Sequence, residues 1–280
     1  MNWLDALILG IVQGLAEYLP ISSSGHLEIF NHLLGSRLAG ADSLQFDVVL
    51  HVATVLSTIV VLWRKFIPLC KSFFTFRRDE NTAYVWKLLL SCIPVGIVGV
   101  CFKDQVEAFF GVSADGGNNL TLVGICLCVT AALLAFAYFF RTRPLMATRR
   151  EGRDITWSDA FIIGIAQAVA VLPGLSRSGS TIATGILLGD NRERVAQFSF
   201  FMVVIPILGQ ALLDLVKVLG AAPGEAESPV GFTAMAVGFL AAFIVGCIAC
   251  NWMLNLVKKG KLVWFAVYCV VVGVLCIVLA

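Results

Sequence analysis

The protein has 280 residues, of which 59% are hydrophobic and only 14% are charged, and its mean hydropathy is +0.91. A soluble domain of this size needs a polar surface that this composition cannot supply, so soluble fold classes are excluded. The formal net charge of +2 decides little, because in a membrane protein the distribution of charge along the chain matters more than its sum.

The apolar segments, taken in chain order, predict an all-α polytopic protein that forms a single integral membrane domain over residues 1–280. Six of them approach or exceed the ~18 residues that a spanning helix needs: 45–63, 85–102, 119–140, 194–218, 230–257 and 262–280. Two shorter apolar segments, 3–19 and 157–172, each run into a break rich in proline, serine and glycine, followed by a short amphipathic piece, 24–35 or 178–189. These interrupted pairs are typical of re-entrant helical hairpins. At the break, the backbone N–H and C=O groups lose their helical partners, so this segment must be buried in protein or line a polar cavity.

The positions of lysine and arginine favour re-entrant hairpins over full crossings. If both hairpins return to the side from which they entered, the main basic segments share one side: 64–84, 141–156, 192–194 and 258–261. Arg37, Lys103 and Lys217 then lie on the other side, and Arg177 lies inside the second hairpin. The positive-inside rule makes the basic side cytoplasmic and places both termini outside.

The two hairpins also resemble each other in sequence. The stretch "DALILGIVQGLAEYLPISSSGH" starts at Asp5, and "DAFIIGIAQAVAVLPGLSRSGS" starts at Asp159, with ten identities at this offset. One hairpin plus three spanning helices would make a repeat, approximately 1–140 and 157–280. Because the number of crossings is odd, the two copies have opposite orientation, and inverted repeats with broken helices bring polar sites together near the midplane.

Each hairpin tip carries groups suited to an anion. The first turn of a helix has N–H groups without partners and a partial positive charge. The candidate phosphate-binding residues are Ser22, Ser24, Gly25, Ser176, Arg177, Ser178 and Thr181, with Ser23 and Ser180 in the same clusters. Serine N-caps and an arginine that reaches water are the alternative, but an arginine at an intramembrane tip is costly and therefore points to function.

Gln13 and Glu17 are four residues apart and share one helix face that leads to the first break. A carboxylate beside a phosphate site is repulsive unless a cation bridges the two, and Mg²⁺ and Ca²⁺ take such oxygen ligands. Gln13 and Glu17 are therefore candidate metal ligands. An ion pair between Glu17 and Arg177 without a metal is the alternative.

The chain has three histidines, and they differ in context. His26 follows the serine cluster and is a candidate acid or base, whereas an isolated histidine is more often structural. His51 follows Asp47 by four residues on a spanning segment and could line the same cavity. His32 lies outside the cluster and is interpreted as structural.

The two tip motifs together resemble those of the bacterial undecaprenyl-diphosphate phosphatases, the bacitracin-resistance family. "QGLAEYLPISSSGH" is similar to the (E/Q)-x-x-x-E motif followed by P-x-S-S-x-G-H, and "LPGLSRSGST" is similar to P-G-x-S-R-S-x-x-T. "FDVVLHVATVLSTIVVLWR" and "RVAQFSFFMVVIPI" are similar as well, so the resemblance covers nearly the whole chain. It implies an interdigitated inverted-repeat fold that removes the terminal phosphate from a C55 polyprenyl diphosphate, in a site reached from the outer face of the plasma membrane.

Site residues follow from the same resemblance. It implies that Gln13 and Glu17 form the metal or acid–base pair, that Ser23 and His26 form the catalytic pair, and that Arg177 binds phosphate. Gln13 is the less acidic variant of its motif position, which leaves Glu17 as the only carboxylate of the pair and weakens the case for two-carboxylate metal binding.

The sequence leaves two mechanisms open: attack on phosphorus by Ser23, or attack by a metal-activated water. The expected partners are a polyprenyl diphosphate, membrane lipids and a divalent cation, with no nucleic acid; a homodimer is one open oligomeric state. A lipid flippase or transporter is the rival function, because inverted repeats that meet at the midplane are typical of transporters. A receptor or scaffold would explain neither tip motif.

Overall fold

The computed structural model describes residues 1–34, 41–102, 120–141, 152–172, 174–220 and 230–280. Arg37, Lys103 and most of the basic segment 141–156 lie outside these ranges. Within them the chain is helical, with one isolated β-bridge between Arg153 and Asp190. The helices, α1 to α12, are Trp3–Ala16, Ser23–Leu33, Ala41–Val61, Trp63–Phe74, Glu80–Cys101, Leu120–Arg141, Trp157–Val169, Arg177–Leu188, Arg192–Met202, Val204–Gly220, Phe232–Lys258 and Val263–Leu279.

Several of these helices have the length and apolar composition of membrane spans, so the protein is a multi-pass membrane protein. In the part of the chain that the structure describes, four segments meet both criteria: Glu80–Gly99, Leu120–Phe140, Arg192–Leu213 and Phe232–Lys258. A fifth is added if α3 and α4, which meet at a 92° bend, count as one broken span. The sixth predicted span corresponds to α12, which is apolar but has only 17 residues.

Both predicted interruptions are present. Helix α1 ends at Ala16 and α2 begins at Ser23, while α7 ends at Val169 and α8 begins at Arg177. The interruptions are therefore breaks in the helical backbone, close to the predicted positions.

The caps of the two interrupted pairs match position by position. Asn2 and Asp5 form a capping box at the start of α1, and Thr156 and Asp159 form one at the start of α7. At the second helices, the Ser22 hydroxyl accepts from the Gly25 N–H and the Ser176 hydroxyl accepts from the Gly179 N–H. Because the offset that aligns the sequences also aligns all these caps, the two segments share local structure as well as residues.

Small residues let the first helix of each hairpin pack closely on a distant long helix. A Cβ atom on Gly14 of α1 would lie 2.8 Å from the carbonyl oxygen of Ala242 in α11. On α7, a Cβ atom on Gly164 would lie 2.8 Å from Cα of Ser91 in α5. In a membrane, where apolar surface alone does not drive association, such close backbone contacts hold helices together.

Two segments differ in detail from their sequence predictions. Helix α4 lies within the basic segment 64–84, where no helix was predicted, and it carries Cys70. The predicted span 194–218 is confirmed as the candidate span Arg192–Leu213, although the helix is divided at Val203 into α9 and α10. Pro206 explains the division because it has no N–H to donate to the Met202 carbonyl, which instead accepts a 3.4 Å hydrogen bond from the Cys92 thiol.

The largest buried cluster packs around α9 and reaches the first hairpin. Tyr18, directly after Glu17, meets Phe200 edge to face with the ring centroids 5.2 Å apart. Its hydroxyl contacts the Ser57 and Thr58 hydroxyls on α3 at 2.5 and 2.9 Å. These contacts hold the break after α1 against two neighbouring helices and so position the residues beside it.

Candidate active site

The two hairpin tips meet inside the protein. The Ser178 hydroxyl at the start of α8 donates a 3.2 Å hydrogen bond to the carbonyl of Leu19 in the first break. A Cβ atom on Gly25 would lie 3.1 Å from Cα of Gly174, so the backbones of the two tips are almost in contact. Thr130 on α6 supports the second tip, because its hydroxyl accepts a 3.0 Å hydrogen bond from the Ser176 N–H. The two motifs, about 150 residues apart in sequence, thus form one site.

Glu17 lies at the centre of the polar groups of the first tip. Its Oε2 atom accepts hydrogen bonds from the Ser23 hydroxyl at 2.7 Å and from Gln13 Nε2 at 3.0 Å. His51 Nε2 on α3 lies 3.7 Å from the same oxygen, and the Glu17 side chain is only 8% exposed. The predicted shared face of Gln13 and Glu17 is therefore present, and His51 lies next to it.

Arg177 occupies the first position of α8, on the other side of the junction. Its positive charge acts on the Glu17 carboxylate. Within the described ranges, however, no ion pair within 4.0 Å joins the two side chains. A direct Glu17–Arg177 ion pair is thus not the arrangement of this site.

His26 is held in place by two hydrogen bonds that do not involve Ser23. Its Nδ1 atom lies 2.9 Å from the Ser22 carbonyl, which can only accept, so this nitrogen carries the proton. Its Nε2 atom lies 2.8 Å from the Tyr268 hydroxyl, and the two rings are stacked with centroids 5.6 Å apart. In the neutral ring the Tyr268 hydroxyl is the donor to Nε2. The structure therefore pairs Ser23 with Glu17 and pairs His26 with Tyr268.

A model of the family described as bacitracin resistance protein BacA matches residues 6–275. The chain belongs to this family. A protein of Bacteroides fragilis named "Undecaprenyl-diphosphatase" is 53% identical over 281 residues, covering 100% of this chain and 99% of the relative. Proteins of the same name from Bacteroides thetaiotaomicron and Oceanobacillus iheyensis are 52% and 37% identical, with 99% and 97% of this chain and 99% and 94% of those relatives covered.

In this BacA family member, the backbone at the first tip is strained. Ser22 has φ of 70°, in the left-handed region that costs a non-glycine residue free energy. The Ser22 hydroxyl caps α2 through the Gly25 N–H at 3.3 Å, and Ser24 beside it is exposed. The strain turns the chain so that Ser23 faces Glu17, while the Ser22 carbonyl faces His26.

The predicted phosphate ligands of the second tip divide into two groups. Ser176 caps the Gly179 N–H at 3.0 Å and, like Ser178, is buried at the junction of the tips. Thr181 is fully buried, and its hydroxyl contacts the Ser199 hydroxyl of α9 at 2.6 Å. Ser180 is also buried, with a hydroxyl that has no hydrogen-bond partner among the described residues. Phosphate contact by Thr181 stays a prediction that this placement does not favour.

The residues beside Glu17 fit a divalent cation to a limited degree. Gln13 Oε1 is buried without a hydrogen-bond partner in the described part of the chain, so an acceptor oxygen remains available next to the carboxylate. Among the described residues, no cluster of three or more histidine, cysteine or acidic side chains is suited to a metal, and none lies beside Glu17. This donor set suits a cation that takes its remaining ligands from phosphate and water.

Tyr268 and Thr130 are parts of the site that sequence reasoning missed. Both lie on helices that read as plain apolar spans, and Tyr268 is 242 residues from His26 in the chain. One signal was available for Tyr268: it is the only hydrogen-bonding side chain other than Trp and Cys in the segment Val263–Leu279.

Proposed function

We propose that this protein hydrolyses undecaprenyl diphosphate to undecaprenyl phosphate and inorganic phosphate, which regenerates the lipid carrier for cell-wall synthesis and confers bacitracin resistance. Support comes from its family membership and from full-length relatives named as undecaprenyl-diphosphatases. The observation that carries the proposal is the 2.7 Å contact between the Ser23 hydroxyl and Glu17, across from Arg177 at a junction of two helix N-termini.

In the proposed reaction, Ser23 Oγ attacks the terminal phosphorus of the substrate. Its proton passes to Glu17 Oε2, a new Oγ–P bond forms, and the bond between phosphorus and the bridging oxygen breaks. The lipid monophosphate leaves with the electron pair of that bond. Water then attacks the phosphoserine phosphorus and the Oγ–P bond breaks. Ser23 Oγ takes back the proton from Glu17, and both protons of the water leave with the inorganic phosphate. Glu17 is favoured as the base because it is the group that Ser23 contacts.

The substrate is negatively charged, and the tips supply the opposing charge. The guanidinium of Arg177 suits phosphate oxygens, and the first N–H groups of α2 and α8 add partial positive charge. Gln13 and Glu17 would hold a divalent cation, Mg²⁺ or Ca²⁺, which would supply positive charge for the substrate phosphates. His26 as an acid toward the departing phosphate stays a prediction.

The architecture that we propose is an inverted repeat of residues 1–140 and 157–280, with six spanning helices and two re-entrant hairpins. Two observations support it. The caps of the two hairpins match at one sequence offset, and the packing is reciprocal: α1 of the first half lies on α11 of the second, and α7 of the second lies on α5 of the first. A homodimer stays a prediction.

We further propose that the protein lies in the bacterial plasma membrane with its site open to the outer face. Contacts join several basic segments at one end of the helices, as the positive-inside rule requires. Lys258 pairs with Glu193 at 3.1 Å, Arg194 pairs with Asp154, and Lys87 donates to the Ile155 carbonyl at 2.7 Å.

The test is phosphate release from a polyprenyl diphosphate by the purified protein, with and without a chelator. We expect turnover that the chelator suppresses, and a loss of kcat of at least about 100-fold in Ser23→Ala. Ser158→Ala is the matched control, because Ser158 is an exposed hydroxyl at the end of α7 opposite the second tip. Near-normal turnover in Ser23→Ala would assign the attack to water, and lipid transport without phosphate release would favour the flippase.

A further inference from the structure

A second cavity, of about 640 Å³, opens at the basic end of the helices. Its charged lining residues are Arg64, Lys65, Lys87 and Arg194 with the carboxylates Glu80 and Asp154. Ten helical residues, a rise of about 15 Å, separate His51 beside Glu17 from the end of α3, and Arg64 and Lys65 lie beyond that end. The cavity is therefore separate from the site at the hairpin tips.

The four cations outnumber the two carboxylates, so the cavity has an excess of positive charge. Arg194 pairs with Asp154, so these two charges offset each other. Lys65 and Lys87 have neutral partners, the Gln197 side-chain oxygen and the Ile155 carbonyl, and Lys87 also lies over the Trp157 ring at 5.7 Å. Neutral hydrogen bonds orient these lysines without cancelling their charge. An anion is thus the ligand that the lining favours.

One wall of the cavity is α4, which has the features of a helix at a membrane interface. This helix turns by 92° from α3, so it lies across the direction of that span rather than along it. Trp63, Ile67 and Phe74 on α4 are exposed, while Arg64 and Lys65 on the same helix line the cavity. An amphipathic helix with exposed aromatic residues and basic residues is typical of the membrane interface.

The cavity also has an apolar side that a free anion would not use. This side includes Pro68 and Leu69 of α4, Tyr84 of α5 and Phe201 of α9. A ligand that combines phosphate with acyl chains would satisfy the cations and cover this surface together. Basic pockets between membrane helices are known to take such headgroups.

We propose that this cavity binds the phosphate headgroup of an anionic membrane phospholipid, as a site separate from the catalytic one. The headgroup phosphate contacts Arg64, Lys65 and Lys87, and the acyl chains lie along the apolar side of α4. The proposal does not depend on the proposed reaction, because none of these residues belongs to the hairpin tips.

The test uses delipidated full-length protein in a neutral detergent and measures its thermal unfolding midpoint. The probes are phosphatidylglycerol, phosphatidylcholine and inorganic phosphate. We expect a rise in the midpoint that saturates with phosphatidylglycerol and is absent with the other two. An equal rise with inorganic phosphate would show that the site takes free phosphate and would overturn the lipid assignment.

Charge variants separate the cavity from general attraction to the membrane. Arg64→Gln with Lys65→Gln should weaken the apparent affinity for phosphatidylglycerol roughly 30-fold. The matched control, Lys71→Gln with Lys259→Gln, removes the same charge from the basic end outside the cavity lining and should bind normally. Equal losses in both pairs would overturn the proposal.

A second double variant, which conserves both charges, tests the cavity even if Arg64→Gln with Lys65→Gln does not fold. Arg64→Lys with Lys65→Arg keeps both charges and should retain most of the affinity for phosphatidylglycerol. If this swapped protein unfolds normally but no longer responds to the lipid, the cavity does not act through its charge and the proposal fails.

Discussion

The Ser23 hydroxyl donates a 2.7 Å hydrogen bond to Glu17 Oε2. This contact couples a hydroxyl on α2 to a carboxylate that directly follows α1, across the break in the hairpin. The contact depends on the backbone conformation of Ser22, whose φ of 70° orients the next residue, Ser23, toward Glu17. Since both nitrogens of His26 have other partners, the carboxylate is the group placed to take the Ser23 proton.

Glu17→Gln should remove activity while leaving the fold intact. The amide has nearly the same shape, but it cannot accept a proton and holds a cation weakly, so we expect kcat to fall by about 100- to 10,000-fold. The thermal unfolding midpoint should change little, because no direct ion pair within 4.0 Å joins Glu17 to Arg177 in the described chain. Phosphate release and thermal unfolding in detergent measure both effects. A sharp loss of stability would restore the ion-pair interpretation.

Gln13→Glu is the converse change at the same face. A second carboxylate next to Glu17 should tighten the apparent affinity for Mg²⁺ or Ca²⁺, read as a lower cation concentration at half-maximal activity. An unchanged titration would mean that Gln13 does not face the cation, and the assignment of this pair to the metal would then be wrong.

Arg177→Lys should be far from a conservative change. Lysine keeps the charge but loses the planar fork that binds two phosphate oxygens at once. We expect kcat/KM to fall roughly tenfold to a thousandfold, or about 1.4–4 kcal/mol. Arg78→Lys is the matched control, since Arg78 is an exposed arginine before α5. Comparable kinetics in the two variants would make Arg177 a structural residue.

Local features of the fold could be predicted because they depend on nearby residues. Asn2 and Thr156 are capping residues followed three positions later by aspartate, and the breaks after Ala16 and Val169 coincide with proline, serine and glycine. The prediction failed where local composition was misleading. The polar composition of 64–84 concealed α4, on which Arg64 and Lys65 line a cavity while Trp63 and Phe74 are exposed.

Contacts between distant segments could not be predicted in the same way. Gln13 and Glu17 could be placed on one face because helical spacing decides it, and Ser23 is close in sequence. The pairing of Ser23 with His26 that the family resemblance implied could not be checked in this way. The His26 imidazole contacts the hydroxyl of Tyr268, a residue 242 positions further along the chain. Single-sequence patterns carry no information about which spanning helix packs beside a hairpin.

Tyr268→Phe should test whether Tyr268 positions His26. The phenyl ring keeps the stacking but loses the hydroxyl on Nε2, so the imidazole is held by the Ser22 carbonyl alone. One lost hydrogen bond predicts a two- to tenfold fall in kcat with KM and the unfolding midpoint nearly unchanged. Tyr138→Phe, on α6, is the control. A change confined to stability would show that Tyr268 only packs against the hairpin.

Gly14→Ala should destabilise the protein through the packing of α1 on α11. The added Cβ would lie 2.8 Å from the Ala242 carbonyl oxygen and 3.0 Å from the Gly246 nitrogen, both backbone atoms that cannot move independently. Overpacking of this kind costs about 1–3 kcal/mol, and activity should fall as well because Gln13 and Glu17 follow the position of α1. Gly96→Ala is the matched control: it lies in a spanning helix with no atom within 4 Å of the added methyl group, and alanine favours helix. The thermal unfolding midpoint of Gly14→Ala should therefore lie well below that of the wild type, and the midpoint of Gly96→Ala should equal it or lie slightly above it. Equal midpoints for the two variants would mean that α1 and α11 are not held at this distance, and the reciprocal packing on which the inverted repeat depends would lose its main support.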